Sequence, residues 1–532
     1  MKVVGKSFLV VALLLLAGVI FVGVRWLGGQ SAVPLALAAD MPSLAGKVAA
    51  PQFPSGLDWI NTGNKPVTLR ELRGKVVLLD FWTYGCINCF HIIPDLEKLQ
   101  KTYGNGLVII GVHSAKFATE RKTAHIEAVV LRYGIDHPVV NDKDMQIWNA
   151  YGAEGWPTLT VIDPAGNVVG QVSGEGQYAL LNKVIGSLTK EFAAKGEIND
   201  KPLWFSNIRL EMPNTTLLFP GKVLADAAHD RLFIADSNHN RIVVTTLTGK
   251  VLTVIGNGLS GLKDGAYSFA EFHYPQGMSL ANANTLYVAD TDNNAIRRID
   301  LVNHTVTTVA GDGKQTYMTD PVIPARSAEL NTPWAVLWHD GLLYIAMAGQ
   351  HQLWAYDPMA QTIRLYAGSG EEGISDGSLS EASFAQSSGL TTDGQVMYVA
   401  DPEASAVRAV GFGPGAQVRT LVGTGLFDFG DVDGVGDHVR LQHDLGITWN
   451  DGLLYIADTY NSKIRLLDPK TRRVTTFAGG DGQFDEPGGL SAAGGNLYVA
   501  DTDHNRIAVV DLKTGKISTL NLNDPARLLA RP

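Results

Sequence analysis

Cysteine is nearly absent from this chain, because only Cys86 and Cys89 occur among its 532 residues. A disulfide framework needs several cysteines, so a scaffold of structural disulfides is excluded. A structural zinc site needs four ligands, usually from a second Cys or His pair, and only His91 and His113 follow closely. We therefore favour redox chemistry at the Cys86-x-x-Cys89 pair over zinc binding. We predict no metal and no cofactor beyond a Cys86–Cys89 disulfide.

Positive charge is scarce as well. The formal net charge is −10, and residues 201–532 contain 25 Lys and Arg against 36 Asp and Glu. An acidic surface repels a phosphate backbone, which excludes nucleic acid as a natural partner. With 45% hydrophobic and 18% charged residues the chain is typical of a folded protein, and its length indicates two to four domains.

Long apolar runs are missing except at the amino terminus. There an unbroken run from Phe8 to Val24 follows two lysines. It is longer than a usual signal-peptide core and slightly short for a full membrane span. We expect residues 1–28 to anchor the chain in the bacterial cytoplasmic membrane, with the rest outside the cytoplasm. Secretion after cleavage near Ala38 is the alternative, and residues 29–50 are predicted to be a spacer.

Residues 51–200 alternate between strand and helix patterns, which predicts a small α/β domain. The strands are expected at Val76–Trp82, Leu107–Val112, Thr158–Ile162 and Val168–Val172, the last two as a hairpin. Helices are expected directly after Cys89 and over residues 119–133, 144–151 and 177–195.

The cysteines lie between the first of these strands and a helical pattern. A helix start supplies partial positive charge and free N–H groups, which would stabilise a Cys86 thiolate and make it a nucleophile. Cys89 follows one turn later and could attack the resulting mixed disulfide.

Two further segments are candidate site residues. Asp80 lies within the apolar strand, so we expect it to be buried, to have a raised pKa and to accept the Cys89 proton. The alternative is a structural aspartate. In Trp156-Pro157-Thr158 the proline precedes a strand, where a cis bond and an unpaired backbone edge would hold a substrate chain. The alternative is a proline that is merely tolerated at a strand start.

From residue 203 a different, repeated pattern extends to residue 532. Units such as LYVAD recur six times, each with several short strands around it, ending at residues 236, 290, 347, 401, 458 and 501. Six such units predict an all-β six-bladed propeller. Either residues 208–212 or Lys516 to Leu522 could supply the strand that closes the ring. The aromatic residues of the units are expected to pack between blades, and Met347 marks an atypical third unit.

An aspartate-rich stretch at residues 428–437, DFGDVDGVGD, suggests a calcium loop. However, its Asp433-Gly434 pair recurs at equivalent places in other units as Asp264-Gly265 and Asp376-Gly377. We therefore interpret it as a turn between blades and reject calcium.

Several of these motifs resemble known families. Asp80-Phe81-Trp82, the CxxC pair and Trp156-Pro157-Thr158 resemble the thioredoxin fold, closest to TlpA-type oxidoreductases, and FWTYGCINC is similar to DipZ-type domains. Units such as LYVADTDNNAIRRID resemble NHL repeats. Their order, with GVHSAKF and LRYGIDHPVV, resembles the NHL-repeat-containing protein two family.

The resemblance implies a nucleophilic Cys86, a resolving Cys89, a cis-proline at Pro157 and a propeller that serves as a binding platform. We therefore expect a thiol-disulfide oxidoreductase that acts on protein disulfides, with an unidentified electron donor and a protein or peptide bound to the propeller. The rival hypothesis is a scaffold in which the propeller does the work and the thioredoxin-like domain is structural or redox-sensing. Ile87-Asn88 replaces the Gly-Pro of thioredoxin, so the direction of electron flow stays open.

Overall fold

A computed structural model describes residues 43–208, 212 and 214–523. The predicted anchor over residues 1–28 and the cleavage site near Ala38 lie outside these residues. Among the residues described, no helix is both long and apolar enough to cross a membrane. The end of the predicted spacer is ordered, because Val48–Ala49 forms an edge strand.

The first domain is a mixed sheet flanked by helices. Its strands are β1 (Val48–Ala49), β2 (Trp59–Ile60), β3 (Val76–Trp82), β4 (Leu107–His113), β5 (Val139–Asn141), β6 (Thr158–Ile162) and β7 (Asn167–Ser173). Its helices are α1 (Ile87–His91), α2 (Ile93–Tyr103), α3 (Thr123–Tyr133), α4 (Gln146–Tyr151) and α5 (Tyr178–Ala194). The strand order is β1-β7-β6-β3-β4-β5-β2. β3 and β4 are parallel, and β6 and β7 form the predicted hairpin.

Strand β3 lies at the centre of this sheet, and all seven of its residues are buried. Val76 and Leu78 join the core on the face that α2 and α5 cover, whereas Leu79 and Phe81 join the core on the opposite face. A strand with two covered faces needs a continuous apolar run rather than an alternating one. β3 is therefore a central strand buried on both faces, and it leads directly into the CxxC segment.

The helical pattern after the cysteines is interrupted. α1 ends at His91 and α2 begins at Ile93, with Pro94 in its first turn, where a missing N–H costs nothing. Leu96 and Leu99 of α2 are buried against the sheet, as their helical spacing predicts.

The second domain is a six-bladed propeller of antiparallel sheets. Blade 1 contains β8 (Lys222–Asp226), β9 (Arg231–Asp236), β10 (Arg241–Thr245) and β11 (Val251–Ile255). Blade 2 contains β12 (Gly265–Ala266), β13 (Pro275–Asn282), β14 (Thr285–Asp290), β15 (Ala295–Asp300) and β16 (Thr305–Ala310). Blade 3 contains β17 (Val322–Pro324), β18 (Pro333–His339), β19 (Leu342–Met347), β20 (Gln352–Asp357) and β21 (Thr362–Ala367). Blade 4 contains β22 (Gly377–Ser378), β23 (Gly389–Thr392), β24 (Val396–Asp401), β25 (Ala406–Gly411) and β26 (Gln417–Val422). Blade 5 contains β27 (Gly434–Val435), β28 (Gly446–Asn450), β29 (Leu453–Asp458), β30 (Lys463–Asp468) and β31 (Arg473–Gly479). Blade 6 contains β32 (Pro487–Ala493), β33 (Asn496–Asp501), β34 (Arg506–Asp511) and β35 (Ile517–Thr519).

The terminal segment helps to close the ring. β35 is the outermost strand of blade 6, and the chain beyond it runs beside blade 1, where the Asn523 N–H donates to the Gly249 carbonyl at 2.9 Å. Of the two predicted closing segments, Lys516 to Leu522 therefore does contribute a blade strand. Residues 209–211 of the other segment lie outside the described residues.

The aspartate that ends each repeat unit fixes the loop entering its own blade. Asp290 is fully buried and accepts hydrogen bonds from the His273 N–H at 2.8 Å and from Arg297 at 2.6 Å. The equivalent buried pairs of blades 4 and 5 are Asp401–Arg408 and Asp458–Arg465. In blades 1 and 6 the aspartates Asp236 and Asp501 pair instead with Arg241 and Arg506, which lie five residues further along and are more exposed. A buried carboxylate is tolerated because its charge is paired and its oxygens accept hydrogen bonds.

The Asn or Ser that follows four residues after this aspartate links neighbouring blades. Asn240 adopts a positive φ of 50°, a conformation that asparagine tolerates, and its Oδ1 accepts the Tyr274 N–H of the next blade at 3.0 Å. Asn294 does the same for Thr332 at 2.8 Å, and Asn505 does so for Phe219 at 2.7 Å across the ring closure.

Blade 3 departs from the pattern at Met347. The position of the partner arginine is taken by Trp354, and both side chains are fully buried. An apolar pair thus replaces a buried ion pair, a change that need not reduce stability.

The aspartate-rich stretch at residues 428–437 forms a turn in blade 5. Asp433 in this stretch accepts hydrogen bonds from Arg465 and Thr476 at 2.6 and 2.8 Å, so its carboxylate stabilises the blade.

Candidate functional site

The two cysteines lie where β3 leads into α1. Cys86 directly precedes the helix in an extended conformation, and the Cys89 N–H donates to the Cys86 carbonyl at 3.1 Å. Both are free thiols, and 7% of Cys86 but only 2% of Cys89 is exposed. Cys86 is therefore the sulfur that a reagent would meet first, and Cys89 is the inner one.

Asp80 is a residue of β3, the strand that leads to the two cysteines. It is 4% exposed, and burial raises its pKa to about 8. Its Oδ1 has no hydrogen-bond partner among the described residues. Burial also raises the pKa of the Cys89 thiol, and the charges of Cys86 and Asp80 raise it further. The expected burial and raised pKa of Asp80 are confirmed, and a buried acid lies within electrostatic reach of a buried thiol.

Trp156, Pro157 and Thr158 lie on the other side of Cys86. The Trp156–Pro157 peptide bond is cis, as expected, and the Trp156 carbonyl oxygen lies 3.8 Å from Cys86 Sγ. The Trp156 indole N–H donates to the Ser114 carbonyl at 3.0 Å, which fixes the ring. Thr158 is fully buried, and its hydroxyl donates to the Gly155 carbonyl at 2.6 Å. The structure thus places the Trp156 carbonyl beside Cys86 Sγ and Asp80 within electrostatic reach of Cys89.

The propeller covers this face of the thioredoxin-like domain. One residue from each blade, directly before or shortly before its inner strand, has a positive φ between 45° and 62°. These six rim residues are Phe219, Tyr274, Thr332, Gln386, His443 and Glu486. The repeat aspartate holds the residue before the rim position in five blades. The repeat scaffold therefore presents six different side chains in one common geometry.

Two rim residues contact α1 itself. Gln386 Oε1 accepts the Ile87 N–H at 3.0 Å, and the Thr332 hydroxyl lies 2.6 Å from His91 Nε2. The expectation that the N–H groups after Cys86 are free is therefore wrong for Ile87. No local sequence pattern could indicate this contact, because the acceptor lies 299 residues away in the other domain.

A second ring of equivalent positions, two residues after the end of each repeat unit, lies beside the rim residues. Its members are Asn238, Asp292, Gly349, Glu403, Tyr460 and Asp503. At Gly349 a Cβ atom would lie 2.7 Å from His91 Cε1 and 2.1 Å from Asn331 Oδ1. A Cβ atom at residue 349 would therefore press against both Asn331 and the His91 ring, which favours glycine where these two side chains approach the propeller backbone.

Charged side chains join the domains at two places on this interface. Arg132, at the end of α3, pairs with Glu486 at 3.0 Å and with Asp503. Burial raises the pKa of Asp503 to about 8, although the Arg132 charge opposes the shift. Lys116 pairs with Glu403, and both of these side chains are less than one-tenth exposed.

Glu120 organises the loop that precedes Cys86, a role that sequence reasoning missed. It is fully buried and accepts hydrogen bonds from the Thr83 hydroxyl at 2.6 Å and from the Gly85 N–H at 2.9 Å. The N–H groups of Lys116 and Phe117 donate to it at 2.7 and 2.8 Å. Burial raises its pKa, and these four donors oppose that rise. No spacing signal in the sequence distinguishes this glutamate from a surface one.

Comparison with known proteins gives the same domain order. The thioredoxin-like family matches residues 74–168, and the NHL repeat family matches residues 484–510. NHL repeat-containing protein 2 of Homo sapiens is 42% identical over 488 residues, which cover 83% of this chain and 67% of the human protein. DipZ of Mycobacterium tuberculosis is 37% identical over 144 residues, covering 27% of this chain and 21% of DipZ. The thiol-disulfide oxidoreductase ResA of Bacillus subtilis is 33% identical over 117 residues, covering 21% of this chain and 62% of ResA.

The thioredoxin-like domain is therefore related to thiol-disulfide oxidoreductases. The chain spans about two-thirds of the length of the curated NHL repeat-containing protein 2 relatives, 66% of the bovine and 67% of the human protein. Identity of this level over both domains, in the same order, identifies the family: the chain belongs to the NHL repeat-containing protein 2 family.

Proposed function

We propose that this protein is a thiol-disulfide oxidoreductase that acts on protein disulfides through Cys86 and Cys89. The observation that supports this most is the arrangement around the outer sulfur, that of Cys86. Cys86 is the outer thiol, Cys89 follows one turn later, and the Trp156 carbonyl before the cis-proline lies beside Cys86. That carbonyl and the adjacent backbone can hold an extended substrate segment next to the nucleophile.

The reaction then follows two exchange steps. The Cys86 thiolate attacks one sulfur of the substrate disulfide, forms a mixed disulfide and releases the other substrate sulfur, which takes up a proton. In the molecules whose Asp80 is ionised, a minority at pH 7 because its pKa is about 8, Cys89 transfers its proton to the Asp80 carboxylate and attacks Cys86 Sγ. The second substrate sulfur leaves as a thiolate and is protonated, which accounts for the proton that Asp80 accepts and then releases. The substrate gains two electrons and two protons, and Cys86 and Cys89 are left as a disulfide. An external dithiol must reduce this pair again, and the reverse sequence would oxidise a substrate.

The docked propeller restricts which substrates can react. With 7% of Cys86 exposed, a disulfide buried in a globular partner could not approach its sulfur. A cleft of about 530 Å³ runs between α1, α2 and the propeller, lined by Phe90, His91 and Tyr274 among others. We propose that the propeller acts as a partner platform by guiding an exposed or extended segment towards this region.

Reduction of insulin disulfides by the purified protein tests the proposed function. With dithiothreitol present, wild type should accelerate insulin precipitation, and Cys86→Ser should return the rate to that of dithiothreitol alone. Equal rates for both proteins would contradict the enzyme reading. The reduction potential of the Cys86–Cys89 pair gives the direction of electron flow. A value of about −270 mV indicates a reductant, and a value of about −120 mV indicates an oxidant.

A scaffold is the second candidate function, and the burial of both cysteines beneath the propeller favours it. In a scaffold the CxxC pair would be structural or would sense redox state, and protein partners would bind the propeller surface. In that case wild type and Cys86→Ser would be equally inactive on insulin and would bind the same partners equally well.

We further propose that the protein works outside the cytoplasm and is held in the membrane by residues 1–28. The apolar run from Phe8 to Val24 supports this location. Cell fractionation combined with amino-terminal sequencing of the mature protein tests it. A mature chain that begins near residue 39 in the soluble fraction would replace anchoring by secretion.

A further inference from the structure

Gln386 is the only rim residue whose side chain accepts a hydrogen bond from the peptide N–H next to the nucleophile, within the residues that the structure describes. Its Oε1 lies 3.0 Å from the Ile87 nitrogen. The side chain is 6% exposed, so water hardly competes for this bond. A side chain of the propeller therefore accepts the hydrogen bond of a backbone N–H in the CxxC segment.

The orientation of the Gln386 amide is fixed from two directions. Its Nε2 donates to Glu372 Oε1 at 3.2 Å, which leaves Oε1 to face Ile87. Its own backbone N–H donates to His351 Nδ1 at 3.3 Å. His351 holds the position that Asn240 and Asn294 hold in other blades, so the repeat scaffold itself aims this side chain.

The contact has a chemical consequence for Cys86. A thiolate is stabilised by neighbouring N–H donors and is destabilised by neighbouring acceptors. Gln386 should destabilise a Cys86 thiolate in both ways. It occupies the Ile87 N–H as a donor, and it brings a partly negative acceptor oxygen to the start of α1. The docked propeller should consequently make Cys86 less reactive than it would be without this contact.

We propose that Gln386 is a positioning residue through which the propeller sets the reactivity of Cys86. This inference rests on the proposed function, because reactivity matters only if Cys86 is the nucleophile. It extends that function by making the propeller part of the redox site as well as a platform for partners. Partners that loosen the Gln386 contact would then activate the thiol.

Gln442 provides a matched control on the same interface. Its Oε1 accepts the Ala118 N–H at 2.9 Å, so it makes the same kind of bond between the same two domains. Ala118 belongs to the loop after β4 and not to the CxxC segment. Replacing either glutamine with methionine keeps the side-chain length and removes the acceptor, so both variants should loosen the interface to a similar degree.

The experiment measures alkylation of Cys86 by iodoacetamide against pH in the full chain, with Cys89→Ser present so that one thiol reports. We expect Gln386→Met to lower the pH midpoint by about half a unit to one unit, the order of one weak hydrogen bond to a charged group. Gln442→Met should leave the midpoint unchanged. Easier access to the sulfur would raise the plateau rate in either variant without moving the midpoint.

Two results would overturn the inference: an unchanged midpoint in Gln386→Met, or equal shifts in both glutamine variants. Circular dichroism melts of both variants establish that they fold. The test is separate from that of the proposed function, because alkylation reports the Cys86 thiol whether or not insulin is reduced. A shifted midpoint together with no turnover would contradict the oxidoreductase and retain the control of Cys86 by the propeller.

Discussion

Replacing Asp80 with asparagine should stabilise the thioredoxin-like domain at neutral pH and should have little effect in acid. Burial raises the pKa of this carboxyl from 3.8 to about 8. Between these two values the unfolded chain releases the proton that the folded chain retains, so stability falls as the pH rises. Below pH 3.8 both states are protonated, and the penalty vanishes.

The size of the effect follows from the same shift. About three pH units separate the ordinary pKa from pH 7, and each unit corresponds to about 1.4 kcal/mol, so the penalty approaches about 4 kcal/mol. Asparagine has nearly the shape of the protonated acid and cannot ionise, but its buried amide is itself incompletely paired. We therefore expect Asp80→Asn to raise the free energy of unfolding by about 2 to 4 kcal/mol at pH 7.

Cys89 offers a probe of this domain alone. In a Cys86→Ser background, its alkylation along a urea titration reports when the thioredoxin-like domain opens, independently of the propeller. The urea midpoint of Asp80→Asn should exceed that of Asp80 at pH 7, and the two midpoints should coincide at pH 4. An equal gain at both pH values would indicate improved packing, and no gain at pH 7 would refute the raised pKa.

Three further substitutions test the interface and the loop before Cys86. Arg132→Met leaves two buried carboxylates without their cation and should lower stability by about 3 to 5 kcal/mol. Gly349→Ala forces a Cβ atom against His91 and should cost about 1 to 3 kcal/mol, whereas Gly106→Ala, where a Cβ meets no atom within 4 Å, should cost much less. Glu120→Gln replaces acceptors facing four donors and should cost about 1.5 to 3 kcal/mol.

Thermal unfolding followed by calorimetry measures all three costs. A Gly349 variant that melts with wild type would show that the side chains of Asn331 and His91 can move aside. An Arg132 variant of wild-type stability would mean that the two acids are neutral in the folded protein. A Glu120 variant with normal stability would show that water replaces the lost acceptors.

The elements that sequence predicted best are those in which one local rule decides the outcome. β3 follows from its continuous apolar run, and the blades follow from a repeat that recurs six times. Asp80 is recognisable because a carboxylate inside such a run must be buried. The two-residue strands β1 and β2 were missed, since two residues carry no period.

Docking of the propeller on the CxxC face could not be predicted, although its scaffold was visible. The repeat units and the aspartates that end them are visible in the sequence, but the sequence does not show that these aspartates, and the Asn or Ser four residues later, fix the rim position before an inner strand. The rim side chains differ from blade to blade, and those of Gln386, Thr332 and Tyr274 contact different residues of the other domain. The rim positions thus vary within an otherwise regular repeat, and this variation marks the residues that contact the other domain. Which positions these are is recognisable only once the rim residues of the six blades are compared in the structure.

The most direct test of the proposed chemistry follows the two sulfurs themselves. Reduced protein is mixed with one equivalent of a protein disulfide, and the masses and thiols of both products are measured after acid quenching. We expect the chain to lose two hydrogen atoms as Cys86 and Cys89 join, while the substrate gains two thiols, and Cys89→Ser to form a stable mixed disulfide through Cys86. A chain that keeps both thiols while its Cys89→Ser variant captures no substrate would contradict an oxidoreductase at this site.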